Sequence, residues 1–159
     1  MASDKIHEGV AAPDFEFEND RGEIIRLGDL KGKPVVVYFY PRDDTSGCTR
    51  QAVEFTQLID SFSSLDVKII GVSPDTAASH EKFKAKHNLK LQLAADTEKI
   101  AAQAYGVWVS KSMYGRQYMG VERSTFLIGA DGTIARIWRK VRVPGHAERV
   151  LEAVQSLSR

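Results

Sequence analysis

The sequence predicts an α/β fold in which a central mixed sheet is flanked by helices. In the middle of the chain, short β-branched and aromatic runs alternate with amphipathic segments of helical period, as in strands joined by crossover helices. Hairpin patterns stand before and after this region and add antiparallel strands to the sheet. The 159 residues, 43% hydrophobic and 27% charged, suit one folded core. We therefore expect a single domain over residues 1–159.

The N-terminal part is predicted to form a β-hairpin. Residues 15–18 alternate apolar and charged side chains, residues 19–22 have the composition of a turn, and residues 23–27 return as the partner strand. The run at 35–40, VVVYFY, predicts a central strand that is buried on both faces. Pro41 ends this strand because it has no N–H group for the ladder.

The remaining elements follow in alternation. Apolar residues at helical spacing predict a helix from about Cys48 to Phe62. Further along the chain we predict a strand at 67–72, a helix from 73–76 to about His87, a strand at 89–94, a helix from 96 to about 105, a long loop at 106–120, strands at 122–128 and 133–139 joined by a turn at 131–132, and a last helix after 144–146. A hairpin, alternating strand–helix units and a closing β-β-α unit form the order of a thioredoxin-like fold.

Charge and composition exclude several classes of function. The formal net charge is only +1, so no strong field favours nucleic acid or an acidic membrane surface. The apolar runs are too short to span a bilayer, and the first residues lack the apolar core of a secretory signal. We therefore expect a cytoplasmic protein. No metal or cofactor is expected, because the four histidines do not cluster with the cysteine: His7, His80, His87 and His146.

Cys48 is the only cysteine in the chain, and it stands where a polar turn becomes a helix. Unpaired N–H groups and the helix dipole stabilise negative charge at this position, and the thiolate is the nucleophilic form of cysteine. Arg42 and Arg50 lie nearby in sequence and add positive potential. Since cysteine is also often a buried structural residue, position alone leaves a reactive and a structural thiol equally open.

The motif around Cys48 resembles a known active site. Pro41, Thr45 and Cys48 have the P-x-x-x-T-x-x-C spacing of the peroxiredoxins. The longer stretch YFYPRDDTSGCTRQA, together with GVSPD, YGVW, MYG-x-x-YMG and ERSTFLIGADG, is similar to the bacterioferritin-comigratory, or peroxiredoxin Q, subfamily over nearly the whole chain. The resemblance implies a thioredoxin-like fold and a thiol-dependent peroxidase that reduces hydrogen peroxide and organic hydroperoxides.

The resemblance also implies a role for each site residue. Cys48 would be the peroxidatic nucleophile, Thr45 would hydrogen-bond the sulfur and the peroxide oxygen, and Arg123 matches a distant active-site arginine. Pro41 would shield the pocket from water, and Pro41 and Gly47 would contribute to substrate binding. Attack on an O–O bond places charge on the departing oxygen, which N–H groups, a hydroxyl and a guanidinium stabilise. Without the resemblance, Arg123 would suggest a surface ion pair and Thr45 a helix cap.

Three positions depart from the subfamily pattern. Ser46 and Gln51 stand where many relatives have proline and glutamate, and Val53 stands where many carry a resolving cysteine. The alternative location in the next helix, at 83–85, has no cysteine either. The Cys48 sulfenic acid would therefore need an external thiol, supplied by thioredoxin, glutaredoxin or glutathione, in a one-cysteine cycle. The resemblance favours a monomer over a dimer.

Two other functions use the same fold. A thiol–disulfide oxidoreductase normally carries a C-x-x-C pair, and Thr45 occupies the other end of that spacing here. A non-enzymatic redox sensor would use Cys48 as a switch and would consume little peroxide over many turnovers.

Overall fold

The computed structural model describes residues 5–157, and strands and helices alternate along them as the sequence predicts. The elements in chain order are β1 (Glu16–Asn19), β2 (Ile24–Arg26), a 3-10 helix (Leu27–Leu30), β3 (Val35–Phe39), α1 (Ser46–Gln57), α2 (Ile59–Ser64), β4 (Lys68–Ser73), α3 (Ala77–His87), β5 (Gln92–Ala95), α4 (Ile100–Ala104), β6 (Trp108–Met113), β7 (Arg116–Val121), β8 (Ser124–Ile128), β9 (Ile134–Trp138) and α5 (His146–Leu157). None of the helices in this part of the chain is long and apolar enough to cross a bilayer.

Seven of these strands form one mixed sheet in the order β2-β1-β5-β4-β3-β8-β9. Strand β3 lies inside the sheet between β4, to which it is parallel, and β8, to which it is antiparallel, and β4 pairs in parallel with β5. The N-terminal hairpin β1–β2 joins the edge through an antiparallel pairing with β5. This arrangement confirms the predicted thioredoxin-like fold, with its mixed sheet and N-terminal hairpin.

Strand β3 separates two buried layers. Its five residues are all buried, and alternate side chains enter opposite layers because a strand has a period of two. Val35, Val37 and Phe39 pack in one layer. Val36 and Tyr38 pack in the other layer, which also contains Cys48 and the apolar face of α1. The Cys48 side chain therefore packs in the layer that covers one face of β3.

The prediction of a long loop at 106–120 is wrong, since most of this segment forms the hairpin β6–β7. Tyr114 and Gly115 make its two-residue turn with φ angles of 52° and 78°, a left-handed pair that favours tight hairpins. The hairpin lies outside the main sheet, and Met113, Tyr118 and Met119 are exposed. Because the ribbon buries neither face fully, the apolar alternation that normally reveals a strand is absent from its sequence.

Two predicted boundaries also differ from the observed ones. The helix predicted to reach Phe62 is divided at Leu58, whose φ and ψ of −102° and 7° end α1 before α2 begins. The division allows the adjacent residues Leu58 and Ile59 both to pack against the core. The strand predicted at 122–128 begins only at Ser124. Arg123 consequently lies in the connection between β7 and β8, outside both ladders.

Candidate active site

Cys48 lies in the first turn of α1, directly after the turn that follows β3. Thr45 is the N-cap residue, with an extended backbone, and its carbonyl oxygen accepts the Thr49 N–H at 2.8 Å. No side chain caps the helix, so the N–H groups of the first turn lack a side-chain acceptor. The Cys48 side chain is buried, with 2% of its surface exposed. The partial positive charge of the helix start is thus directed at a sulfur that is shielded from water.

Arg123 reaches Cys48 from the connection between β7 and β8. Its Nη2 donates to Cys48 Sγ at 3.4 Å, and its Nη1 donates to Gln51 Oε1 at 2.7 Å. Gln51 follows Cys48 by one helical turn and is itself 1% exposed. The guanidinium is therefore held against the sulfur by a second hydrogen bond, and its positive charge faces Cys48 Sγ.

Gly47 gives Arg123 the space it needs. A Cβ atom at this position would lie 3.3 Å from Arg123 Nη2, which is tighter than an ordinary contact. The absence of a side chain at Gly47 therefore lets the guanidinium approach the helix start. The sequence suggested Gly47 as a substrate-binding residue, and that role stays a prediction.

Thr45 and Pro41 belong to the turn between β3 and α1 that leads to Cys48. The Thr45 hydroxyl donates to Arg42 O at 3.1 Å, and within residues 5–157 it makes no hydrogen bond to Sγ. Its side chain is exposed, so its oxygen lone pairs remain accessible as acceptors. Pro41 is half-buried directly after the buried Tyr40. Roles of both residues toward a peroxide stay predictions.

Tyr38 is a buried polar residue beside the cysteine that sequence reasoning missed. Its ring stacks on Phe55 with centroids 4.9 Å apart. Burial raises the pKa of Tyr38, and the negative charges of the Cys48 thiolate and the Asp43 carboxylate raise it further. Neither the Tyr38 hydroxyl nor Gln51 Nε2 has a hydrogen-bond partner among the described residues. Both groups are thus neutral buried donors close to Cys48.

The sequence does not predict a second group of polar residues, here called the Asp43 cluster. It comprises Tyr40, Asp43, Asp75, Ser79 and His80. Asp43 belongs to the turn that leads to Cys48 and is 8% exposed. Burial raises the pKa of Tyr40, and the neighbouring Tyr38 and Asp43 reinforce the effect. No local sequence pattern indicates this cluster, because its members lie on separate elements.

His146 at the start of α5 is a buried neutral histidine beneath α1. Its Nε2 lies 2.8 Å from the Thr125 hydroxyl, and its ring packs edge-on against Phe55. Burial lowers the pKa of His146 to about 4, and the positive charges of Arg149 and Arg123 lower it further. The ring is therefore uncharged at neutral pH, and it packs against Phe55 of α1.

Known proteins are similar to this chain over nearly its full length. Residues 9–137 match the AhpC/TSA family. Peroxiredoxin Bcp of Bacillus subtilis is 48% identical over 153 residues, which cover 96% of this chain and 98% of that protein.

Solved structures extend the similarity to three dimensions. One, of the Xanthomonas campestris bacterioferritin comigratory protein, concerns that protein's alkyl peroxide reduction activity. It is 36% identical, has a TM-score of 0.90 and covers 97% of this chain and 98% of its own. A cysteine-to-serine variant of Xylella fastidiosa PrxQ is 34% identical, with a TM-score of 0.92, and it covers 97% of this chain and 98% of its own. Sequence and backbone thus point to the same group of proteins.

Proposed function

Because this chain belongs to the AhpC/TSA family and is a peroxiredoxin, we propose that it reduces hydrogen peroxide and organic hydroperoxides at Cys48 in a one-cysteine cycle. The observation that carries the proposal is the contact between Arg123 Nη2 and Cys48 Sγ at an uncapped helix start. A buried structural thiol has no need of a guanidinium held against it by a second bond to Gln51.

In the oxidation step, the Cys48 thiolate attacks the terminal oxygen of the hydroperoxide. The O–O bond breaks, an S–O bond forms, and the alkoxide or hydroxide that departs takes a proton from water. The sulfur is oxidised to a sulfenic acid while the peroxide is reduced to an alcohol or to water. Negative charge moves from sulfur to the departing oxygen, and Arg123 with the first-turn N–H groups stabilises it.

The turn residues complete the proposed substrate site. The Thr45 hydroxyl proton is engaged by the Arg42 carbonyl, so its oxygen is oriented to accept a hydrogen bond from the O–H of the hydroperoxide. Pro41 would exclude water from one side of the reacting oxygens. Gly47 would contribute through its backbone N–H, since it has no side chain to obstruct the approach.

The reduction step requires a thiol from outside the chain. Cys48 is the only cysteine, and Val53, at the position of a resolving cysteine in many relatives, is half-buried against the core. An external thiol would attack the sulfenic sulfur, release water and form a mixed disulfide, which a second thiol then resolves. Cys48, Gln51 and Arg123 all come from one chain, so we propose a monomer that works with cytoplasmic thioredoxin, glutaredoxin or glutathione.

The central test compares peroxide consumption with these three reducing systems, for the parent and for Cys48→Ser. We expect turnover with at least one system and only background consumption by the serine variant. Equal consumption by the two proteins would refute the proposal. The rates with hydrogen peroxide and with an alkyl hydroperoxide, measured under the same conditions, give the substrate preference.

Mass spectrometry after peroxide treatment without a reductant tests the one-cysteine cycle itself. We expect sulfenic or higher acids on a monomer, because no internal thiol is present to condense with the sulfenic acid. A predominant disulfide-linked dimer through Cys48 would show that the chain resolves on itself.

Two alternative functions are separated by turnover with peroxide and by an insulin-reduction assay. A redox sensor would be oxidised once and would show little turnover with any reducing system. A thiol–disulfide oxidoreductase would reduce insulin disulfides, which a single cysteine without a C-x-x-C partner is not expected to do efficiently.

A further inference from the structure

The Asp43 cluster connects the turn before Cys48 to three other parts of the fold. Asp43 Oδ1 accepts the Tyr40 hydroxyl at 2.6 Å, at the end of the central strand. Asp43 Oδ2 accepts the Ser79 hydroxyl at 2.8 Å and faces His80 Nδ1 at 2.8 Å, both on α3. The Asp43 backbone N–H donates to Asp75 Oδ2 at 2.8 Å, in the connection between β4 and α3. The hydrogen bonds of one buried residue, Asp43, therefore hold the turn in place.

The surroundings of His80 hold its ring in one orientation. His80 is fully buried, with 0% of its surface exposed. Its Nδ1 faces the Asp43 carboxylate, and its Nε2 faces the Ala94 carbonyl oxygen of β5 at 2.9 Å. Both ring nitrogens are therefore engaged, and the ring connects the turn to β5.

Stability alone is a poor reason for such a pair. The desolvation of buried polar groups offsets much of what their hydrogen bonds contribute, and well-packed apolar residues often serve stability equally well. A buried polar network with every donor and acceptor satisfied does, however, define one arrangement of the groups that it joins. The other charged member of the cluster, Asp75, is likewise satisfied by the Ser73 hydroxyl and the Asp43 N–H.

The exposed side of the turn is held by the same helix. Asp44 has a left-handed φ of 59°, and its carboxylate is bound at 2.7 Å by both Lys86 and His87 near the end of α3. Successive residues of the turn are thus tied to α3, one in the interior and one at the surface. Helix α3 therefore acts as the support that orients the turn and the helix start beyond it.

We propose that His80 is a positioning residue for peroxide reduction: its ring fixes Asp43, and through Asp43 it sets the position of Thr45 and of the Cys48 helix start. The inference rests on the proposed peroxidase function of Cys48. His80 touches neither the sulfur nor the peroxide, so its effect is transmitted through the turn. A misplacement of about 1 Å at a reacting group can lower a rate by about 100-fold, so a support of this kind affects the reaction directly.

Two variants of His80 separate positioning from simple stability. His80→Asn places an amide N–H near the position of Nδ1 and keeps the bond to Asp43, while it loses the bond to Ala94. His80→Gln reaches the position of Nε2 and keeps the bond to Ala94, while it loses the bond to Asp43. Both variants remove one hydrogen bond of the ring and keep the other. We expect the asparagine variant to stay within about threefold of the parent rate with peroxide and the glutamine variant to lose about tenfold or more, within the range for a small misplacement.

The measurement is the second-order rate constant of Cys48 oxidation, followed by stopped flow, with the free energy of unfolding of each variant determined in urea. Equal rates for the two variants would overturn the inference. The inference would also be overturned if the rates followed the free energy of unfolding regardless of which hydrogen bond the variant keeps. Peroxide consumption with the three reducing systems, measured for the parent and for Cys48→Ser, tests the peroxidase function separately: equal consumption would refute the function, whereas equal His80 variants would refute only the positioning role.

One further comparison does not depend on the folding of the His80 variants. Ser79→Ala removes one donor to Asp43 Oδ2 without altering the buried ring, and Ser64→Ala, which removes an exposed hydroxyl on α2, is its control. We expect about a threefold loss of rate for the former and none for the latter, as the positioning is only partly relaxed. Equal rates for the two serine variants would contradict the inference.

Discussion

Arg123 and Cys48 are 75 residues apart in the chain, and Arg123 Nη2 lies 3.4 Å from Cys48 Sγ. The guanidinium is fixed by a second bond from Nη1 to Gln51 Oε1. Its direction is set further by the backbone, since the Arg123 carbonyl accepts the Val141 N–H at 3.0 Å. The positive charge is thus preorganised before any peroxide arrives, and no reorganisation is needed when charge develops on the departing oxygen.

Replacement of Arg123 by methionine should lower the rate of Cys48 oxidation by about 100- to 1,000-fold, the usual effect of removing one donor that stabilises a developing anion. The substitution keeps much of the side-chain volume, so the fold should be preserved. The measurement is stopped-flow oxidation by hydrogen peroxide. Arg142→Met, at an exposed position, is the matched control and should retain the parent rate. Comparable rates for the two variants would mean that Arg123 has no part in the reaction.

Gly47→Ala should raise the stability of the fold and lower the rate of reaction with peroxide. Alanine in a helix is favoured over glycine by about 0.5–1 kcal/mol, and Gly47 lies in the first turn of α1. The new Cβ would lie 3.3 Å from Arg123 Nη2, so the guanidinium has to move by a few tenths of an ångström.

We therefore expect the Gly47→Ala variant to unfold at a higher urea concentration and yet to react with peroxide about tenfold more slowly, as small displacements of a catalytic group can cost about that much or more. Ser46→Ala, at the neighbouring exposed position, is the control. A Gly47→Ala variant that gains stability and keeps the full rate would show that Arg123 tolerates the shift.

The sequence predicted the central elements well, because their signals are local. The VVVYFY run at 35–40 has the composition of a strand buried on both faces, and the structure places Val35–Phe39, fully buried, inside the sheet between β4 and β8. The proximity of Arg123 to Cys48 was accessible only through the family resemblance, since no local pattern links residues so far apart. The Asp43 cluster and the close approach at Gly47 were not predictable, because they depend on side chains from several elements meeting at defined distances.

His146 should make the fold sensitive to acid. Burial lowers the pKa of His146 from 6.5 to about 4, so protonation favours the unfolded chain. The stability associated with the neutral ring is fully present above pH 6.5 and is lost as the pH falls toward 4. The shift of about 2.5 units corresponds to about 3 kcal/mol in the free energy of unfolding.

Urea unfolding at about pH 7.5 and about pH 4 measures this loss. His146→Gln keeps an amide near the position of Nε2, where it can bond the Thr125 hydroxyl, and does not titrate. The variant should therefore lose about 3 kcal/mol less than the parent over this range, the value that the shift implies. An equal loss in both proteins would assign the acid sensitivity to other groups.

Oxidation of Cys48 should leave α1 folded. Residues five apart in a helix point about 140° away from each other, so a disulfide between positions 48 and 53 needs local unwinding. With Val53 in place of a cysteine, this chain has no such step. Hydrogen exchange at residues 49–54 should therefore be similar before and after peroxide treatment. Val53→Cys, in contrast, should form an intramolecular disulfide on oxidation and exchange faster over the same residues. A sharp rise in exchange for the oxidised parent would show that α1 opens even without a resolving cysteine.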